Sequence, residues 1–239
     1  MEAIYRIVRK TFRFAVPTGV KQVLWRQRDS TLGRLAYRFK EALEKTGSHD
    51  AIYDKYYYND VDRFAIQSAV AIAESVMNEF RPANVVDVGC GTGALLTQFK
   101  KCHVSALGLE RSAAAIKICG ERNLEVFPFD LEAVSEYAGR ADVAICLEVA
   151  EHLPERFADR LVKLLCDISD HVVFTAATPG QGGTDHLNEQ PHEYWIEKFS
   201  RRGFNHDVEI SGAWRRAWQA RTASFYSDNI MVFNRRPPR

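Results

Sequence analysis

The sequence predicts a doubly wound α/β domain with a seven-stranded, mostly parallel sheet, and three observations carry that prediction. Short apolar runs rich in Val, Ile, Leu and Phe recur from Asn84 onward. Stretches of helical periodicity separate the first five runs, as βαβ units require. The first run ends in a glycine-rich turn, Val85-Val-Asp-Val-Gly-Cys-Gly-Thr-Gly93, the type of strand-to-helix junction that receives ligands in such sheets.

Taken in order, the apolar runs place strands at 84–88, 104–109, 124–128, 141–147, 171–176, 204–209 and 229–234. Helical spacing places helices at about 93–101, 111–121, 132–138, 155–167 and 191–201. The last two strands have no helix between them, so an antiparallel pair is expected there. Residues 211–227, opening Ser-Gly-Ala-Trp-Arg-Arg-Ala-Trp, read as an aromatic and basic insert. Upstream, a helical run over 61–80 is closed by Pro82. Residues 1–60 read as a separate helical cap, with helices around 2–14, 20–28 and 31–45, and residues 61–239 as the main domain.

The chain has 239 residues, 46% of them hydrophobic and 26% charged, with a formal net charge of +1. Those are the proportions of a soluble globular protein. The charge is uneven. Residues 1–40 hold ten Lys/Arg against two acids, while the remaining residues hold 22 basic and 29 acidic side chains. The basic stretch also carries Tyr5, Phe12, Phe14, Trp25, Tyr37 and Phe39. It fits a helical cap over a cleft, a homodimer contact, peripheral attachment to an anionic membrane or RNA contact. The net-acidic remainder argues against nucleic acid as the main partner. Five cysteines without a CxxC spacing fit reduced thiols in a cytoplasmic compartment. Arg6, Arg9, Lys10 and Arg13 interrupt any apolar leader, so a secretory signal is not expected.

Glycines at 89, 91 and 93 let the turn approach a ligand closely. Asp87 stands just before them, where a carboxylate suits a cationic amino-acid ligand and repels a pyrophosphate. The second strand ends at Glu110, placed for two ribose hydroxyls. The third ends Phe127-Pro-Phe-Asp130-Leu131, an acid beside an apolar residue that suits an adenine edge and face. A plain dinucleotide-binding domain is the alternative to this reading.

These residues resemble those of the class I S-adenosylmethionine (AdoMet)-dependent methyltransferases. The D-V-G-C-G-T-G turn is that family's first motif, Glu110 matches its ribose-binding acid and Asp130 its adenine contact. The likeness runs from about Ala51 to Phe233. It implies AdoMet as cofactor and a binding set of Asp87, Gly89, Cys90, Gly91, Gly93, Glu110, Arg111, Asp130, Leu131 and Leu147.

A second constellation follows strand four, Cys146-Leu-Glu148-Val-Ala-Glu151-His152-Leu-Pro154, and the long loop after strand five, which contains His186. The loops after adjacent strands four and five meet at the carboxyl edge of the sheet. The E-x-x-E-H run resembles a metal site of some methyltransferases, among them a plant small-RNA 3′-terminal 2′-O-methyltransferase and ubiquinone-pathway O-methyltransferases. Matched residue by residue, Glu148, Glu151, His152 and His186 are the candidate metal ligands. Mixed oxygen and nitrogen donors suit Mg²⁺ or another divalent cation such as Mn²⁺, Fe²⁺ or Zn²⁺. A metal-free reading stands beside it: an E-H-L-P run is common in this family without a metal, His152 then acts as general base, and His186 orders its glycine-rich loop. His186 and His192 are reserve bases.

The resemblance therefore implies O-methylation of a hydroxyl on a small molecule or sugar. RNA 2′-O-methylation and a non-catalytic AdoMet-binding regulatory role are the rival classes. Leu147-Glu-Val-Ala150 stands where protein N-methyltransferases carry an Asn/Asp-Pro-Pro-Tyr-like motif, which disfavours amide or nucleobase amino acceptors.

Overall fold

A computed structural model describes residues 55–134, 136–183 and 186–237, with side chains described from residue 63 onward. The expected cap falls, through residue 54, outside the described residues. Seven strands form one sheet: β1 (Asn84–Val88), β2 (Ser105–Glu110), β3 (Glu125–Pro128), β4 (Val143–Leu147), β5 (His171–Thr175), β6 (Phe204–His206) and β7 (Met231–Arg235). Their order is β3-β2-β1-β4-β5-β7-β6. The first five strands run parallel, and β7 lies antiparallel to both β5 and β6. The sheet reverses its order between β1 and β4, so a crevice opens beyond the carboxyl ends of these two strands.

Both faces of the sheet are apolar, because helices cover both. Val85, Val143, Ile145, Val173 and Val232 point to one face. There they meet Ala69, Ile72, Ala73 and Val76 of α1 (Lys55–Phe80), Leu95 and Phe99 of α2 (Ala94–Lys101) and two tryptophans discussed below. Val86, Val88, Ala144, Cys146, Val172, Phe174 and Phe233 point to the other. That face is covered by Leu161, Leu164, Leu165 and Ile168 of α4 (Ala158–Ile168) and by Trp195 and Phe199 of α5 (His192–Arg201). Helix α3 (Ala113–Glu121) links β2 to β3 and starts at a Ser112 cap that accepts the Ala115 amide. No helix of the described residues is long and apolar enough to cross a membrane.

Three expectations need correction. The helix expected over 132–138 does not form among the described residues; only a turn at 131–133 is present. The turn starts as a helix would, with the Asp130 carboxylate accepting the Glu132 amide at 2.9 Å. Arg160 then takes the Glu132 carbonyl at 2.7 Å, the acceptor that a continuing helix needs. The sixth strand is also shorter than expected, because Asp207 caps a new helix by accepting the Ile210 amide at 2.9 Å. Finally, the 211–227 insert is mostly helical: α6 (Val208–Trp218) and α7 (Ser224–Asn229). Its Trp214 and Trp218 are core residues, and Trp218 donates its indole N–H to Ser75 of α1 at 2.9 Å. The 155–167 helix is an α-helix from Ala158, preceded by a short 3₁₀ turn at Glu155–Phe157.

Candidate active site

The glycine turn joins β1 to α2. Gly89, Gly91 and Gly93 have φ of 76°, 54° and 77°, which side chains other than glycine adopt at a cost. A Cβ at Gly89 would lie 2.4 Å from Val149 Cγ2, whereas one at Gly91 would meet nothing within 4 Å. The turn is thus packed at its base and open at its tip. Gly93 caps α2 without a side-chain hydrogen bond, so no capping side chain takes the amides of the first turn.

Two carboxyls lie beneath that tip. Glu110 accepts the Gly91 amide at 2.9 Å and the Ser112 amide at 2.7 Å. Each oxygen keeps a second lone pair that suits a hydroxyl donor. Burial raises the Glu110 pKa, although these backbone donors pull it back. Asp87 is 5% exposed. Burial, followed by the charge of Glu110, pushes its carboxyl up to about 7. A carboxylate so destabilised is well placed to gain from a cation.

Asp130 follows β3, with Arg111 Nε 3.4 Å from Asp130 Oδ2 and Arg111 Nη1 2.9 Å from Glu132 Oε1. Leu131 is buried beside it, and Leu147 ends β4 half-buried. Cys90 turns its thiol inward, since a Cβ on Gly108 would lie 2.4 Å from Cys90 Sγ. Its contact with Cys119, then burial, raise its pKa well above the usual thiol range, so it offers a ligand backbone atoms and no thiolate.

The second constellation begins directly after β4. Glu148 has φ 53°, a strained value for a residue with a side chain, and its amide is held by the Thr175 carbonyl at 3.2 Å and hydroxyl at 3.0 Å. Its carboxyl accepts Asn229 Nδ2 at 3.2 Å and Gln181 Nε2 at 3.1 Å. A 3₁₀ turn at Ala150–His152 then projects the next two side chains. Glu151 is 0% exposed, and neither carboxyl oxygen makes a hydrogen bond of good geometry, although the Glu148 carboxyl lies close enough to interact with it. Burial first, and the Glu148 charge second, raise its pKa well above the ordinary carboxyl range.

Glu151, His152 and His186 come together, with one ligating atom from each inside 4.8 Å of the others. The two imidazoles meet edge to face with centroids 5.0 Å apart. Of the four candidate ligands, Glu148 stands outside this trio and is tied to Asn229 and Gln181 instead. The loop after β5 docks on the trio through the Leu187 and Asn188 amides, which donate to the Glu151 carbonyl at 2.7 and 3.0 Å.

Sequence reasoning missed Gln181, Asn229 and Glu189, polar residues whose importance depends on partners far along the chain. Glu189, three residues after His186, was the most accessible of these. Within the His192–Trp195 stretch that opens α5, Trp195 is core, 5.2 Å from Phe174. Burial, then the nearby Arg215 charge, depress the half-buried His192.

A family model described as a methyltransferase domain matches residues 57–217, more than half of the chain. The chain belongs to this methyltransferase domain family. Its sheet and flanking helices are the class I methyltransferase fold. Magnesium protoporphyrin IX methyltransferase from Synechocystis PCC 6803, solved with bound SAH, superimposes with a TM-score of 0.58 at 16% identity, covering 84% of this chain and 100% of that one. Among relatives, the mouse (Mus musculus) tRNA (carboxymethyluridine(34)-5-O)-methyltransferase ALKBH8 is 27% identical over 164 residues, 67% of this chain. A ubiquinone biosynthesis O-methyltransferase from Sodalis glossinidius (strain morsitans) is 33% identical over 92 residues, 34% of this chain. The matched regions span 24% of the mouse protein and 37% of the Sodalis protein.

Proposed function

We propose that this methyltransferase-family chain transfers the methyl group of AdoMet to a hydroxyl of a small molecule or sugar, with Glu151, His152 and His186 serving the acceptor. The single observation that carries the acceptor side is Glu151: a wholly buried carboxyl, without a well-formed hydrogen bond, beside two imidazoles. Burying such a group costs several kcal/mol, a cost that a fold sheds unless the group has a task. The likeness to two O-methyltransferases, each over part of its length, supports the oxygen acceptor.

On this reading Asp87 holds the donor's cationic end, Glu110 its ribose hydroxyls and Asp130 the adenine edge, while the open tip at Gly91 admits the ligand against backbone. AdoMet supplies an electrophilic methyl on a sulfonium. The acceptor oxygen displaces the sulfur in line: the O–C bond forms, the C–S bond breaks and its electron pair stays on sulfur. The hydroxyl proton passes to an imidazole nitrogen of His152 or His186.

One carboxylate and two imidazoles also fit a divalent cation of the Mn²⁺, Fe²⁺ or Zn²⁺ type. Such an ion, when bound, lowers the hydroxyl's pKa and orients its oxygen. The trio would hold it, and Glu148 would act on the acceptor side through its own hydrogen bonds.

The experiment is a chelation series with a panel of hydroxylated acceptors. Turnover should fall in EDTA and return with one divalent ion. Unchanged turnover in EDTA leaves an imidazole base and removes the metal. No methyl transfer to any hydroxyl, with AdoMet bound, removes the acceptor class. A second reading, an RNA acceptor, is favoured by the ten Lys/Arg in residues 1–40 and the tRNA-modifying relative. It predicts salt-sensitive tRNA binding.

A further inference from the structure

The loop between β5 and α5 is folded around one carboxylate. Glu189 Oε2 accepts the Gly180 amide at 2.8 Å, and Oε1 accepts the Gly182 amide at 2.8 Å. Oε1 also lies 2.9 Å from His186 Nδ1. Gly180 and Gly182 have φ of 93° and 70°, and this conformation lets amides two residues apart converge on one acceptor. Between them Gln181 reaches out to Glu148 and Asn229.

We propose that Glu189 is the positioning residue for His186: it fixes the imidazole as the Nδ1–H tautomer and presents a bare Nε2 to the acceptor. The inference rests on the assignment of His186 to the acceptor site made above. A carboxylate only accepts, so the hydrogen between Glu189 and His186 belongs to the ring, and a neutral ring then carries its lone pair on Nε2. A general base or a metal ligand needs that nitrogen, and outer carboxylates hold ligating imidazoles in this way.

The ring is also fixed in orientation. A Cβ at Gly183 would lie 2.2 Å from Nε2, 2.5 Å from Cε1 and 2.7 Å from Cδ2, so the glycine lies over the ring face and leaves the in-plane direction clear. The His152 ring stands perpendicular to that of His186, with centroids 5.0 Å apart.

An ordinary i,i+3 surface pair is a poor description of this arrangement, since such pairs hold two mobile side chains and contribute little. Here the His186 side chain is 11% exposed and Glu189 21%, and two backbone amides immobilise the carboxylate. The loop fold and the ring tautomer therefore depend on the same group.

The test uses the full chain labelled with ¹⁵N-histidine, in EDTA so that neither nitrogen is metal-bound, with His186 assigned from the spectrum of His186→Gln. The neutral wild-type ring should show the Nδ1–H, bare-Nε2 pattern. In Glu189→Leu no acceptor faces Nδ1, so the Nδ1–H preference should be lost in favour of Nε2–H and turnover should fall about 10–100-fold. AdoMet affinity by calorimetry should stay within about twofold. Glu189→Asp keeps an acceptor-only group on a shorter arm; it should retain the Nδ1–H pattern and recover part of the turnover.

A wild-type ring protonated on Nε2 overturns the proposal, as does a Leu variant with unchanged tautomer. If Leu and Asp lose activity alike while the tautomer is unchanged, Glu189 only shapes the loop. His186→Gln separates the two claims: full turnover in that variant removes His186 from the acceptor chemistry, whatever the tautomer of the wild type.

Discussion

Asp87→Asn should make the ligand-free protein more stable at alkaline pH while abolishing AdoMet binding. In the wild type, burial and the neighbouring Glu110 charge lift the Asp87 carboxyl from 3.8 to about 7. The folded state therefore holds a proton that the unfolded chain has already released between these two values. Stability falls as pH rises through that window, at about 1.4 kcal/mol per pH unit. Between pH 5 and pH 8 the wild type should thus lose roughly 3 kcal/mol relative to D87N. Urea unfolding of both proteins at the two pH values measures this double difference, in which titrating groups not coupled to Asp87 cancel. Calorimetry with AdoMet at pH 8 measures the functional half. A parallel pH dependence for the two proteins would refute the buried-carboxyl argument. Undiminished AdoMet affinity in D87N would refute the role of Asp87 as the cation's partner.

Two further outcomes follow from the site's packing. Gly89→Ala and Gly91→Ala both put a Cβ on left-handed backbone, at about 1 kcal/mol each, but only Gly89 also drives it 2.4 Å from Val149 Cγ2. Chemical denaturation should show the Gly89 variant destabilised by about 2–4 kcal/mol; the Gly91 variant should fold and lose AdoMet affinity, and equal stability losses would contradict this geometry. Glu151→Leu should raise stability in EDTA by about 1–3 kcal/mol, because a buried carboxyl without a well-formed hydrogen bond is replaced by an apolar side chain, while turnover is lost. A variant less stable than the wild type would show that Glu151 has a stabilising partner.

The pattern of the chain alone determined the alternating architecture and the carboxyl-edge location of the site. Asp87, the three glycines and Glu110 are close in sequence to strand ends, and strand ends are what hydrophobic periodicity locates. The same logic placed Glu148, Glu151, His152 and His186 at one edge.

Local pattern failed where a distant side chain decided the outcome. The 132–138 helix lost its carbonyl to Arg160, and the 211–227 insert became helix because Trp214 and Trp218 had a face of α1 to cover. Only the tertiary structure separated Glu148 from Glu151, three residues apart. One turns to amides from Gln181 and Asn229; the other is sealed beside two histidines without a well-formed hydrogen bond. Burial and pairing depend on every element packed around a residue, so a carboxyl's neighbours, and with them its pKa, are set only when the chain has closed.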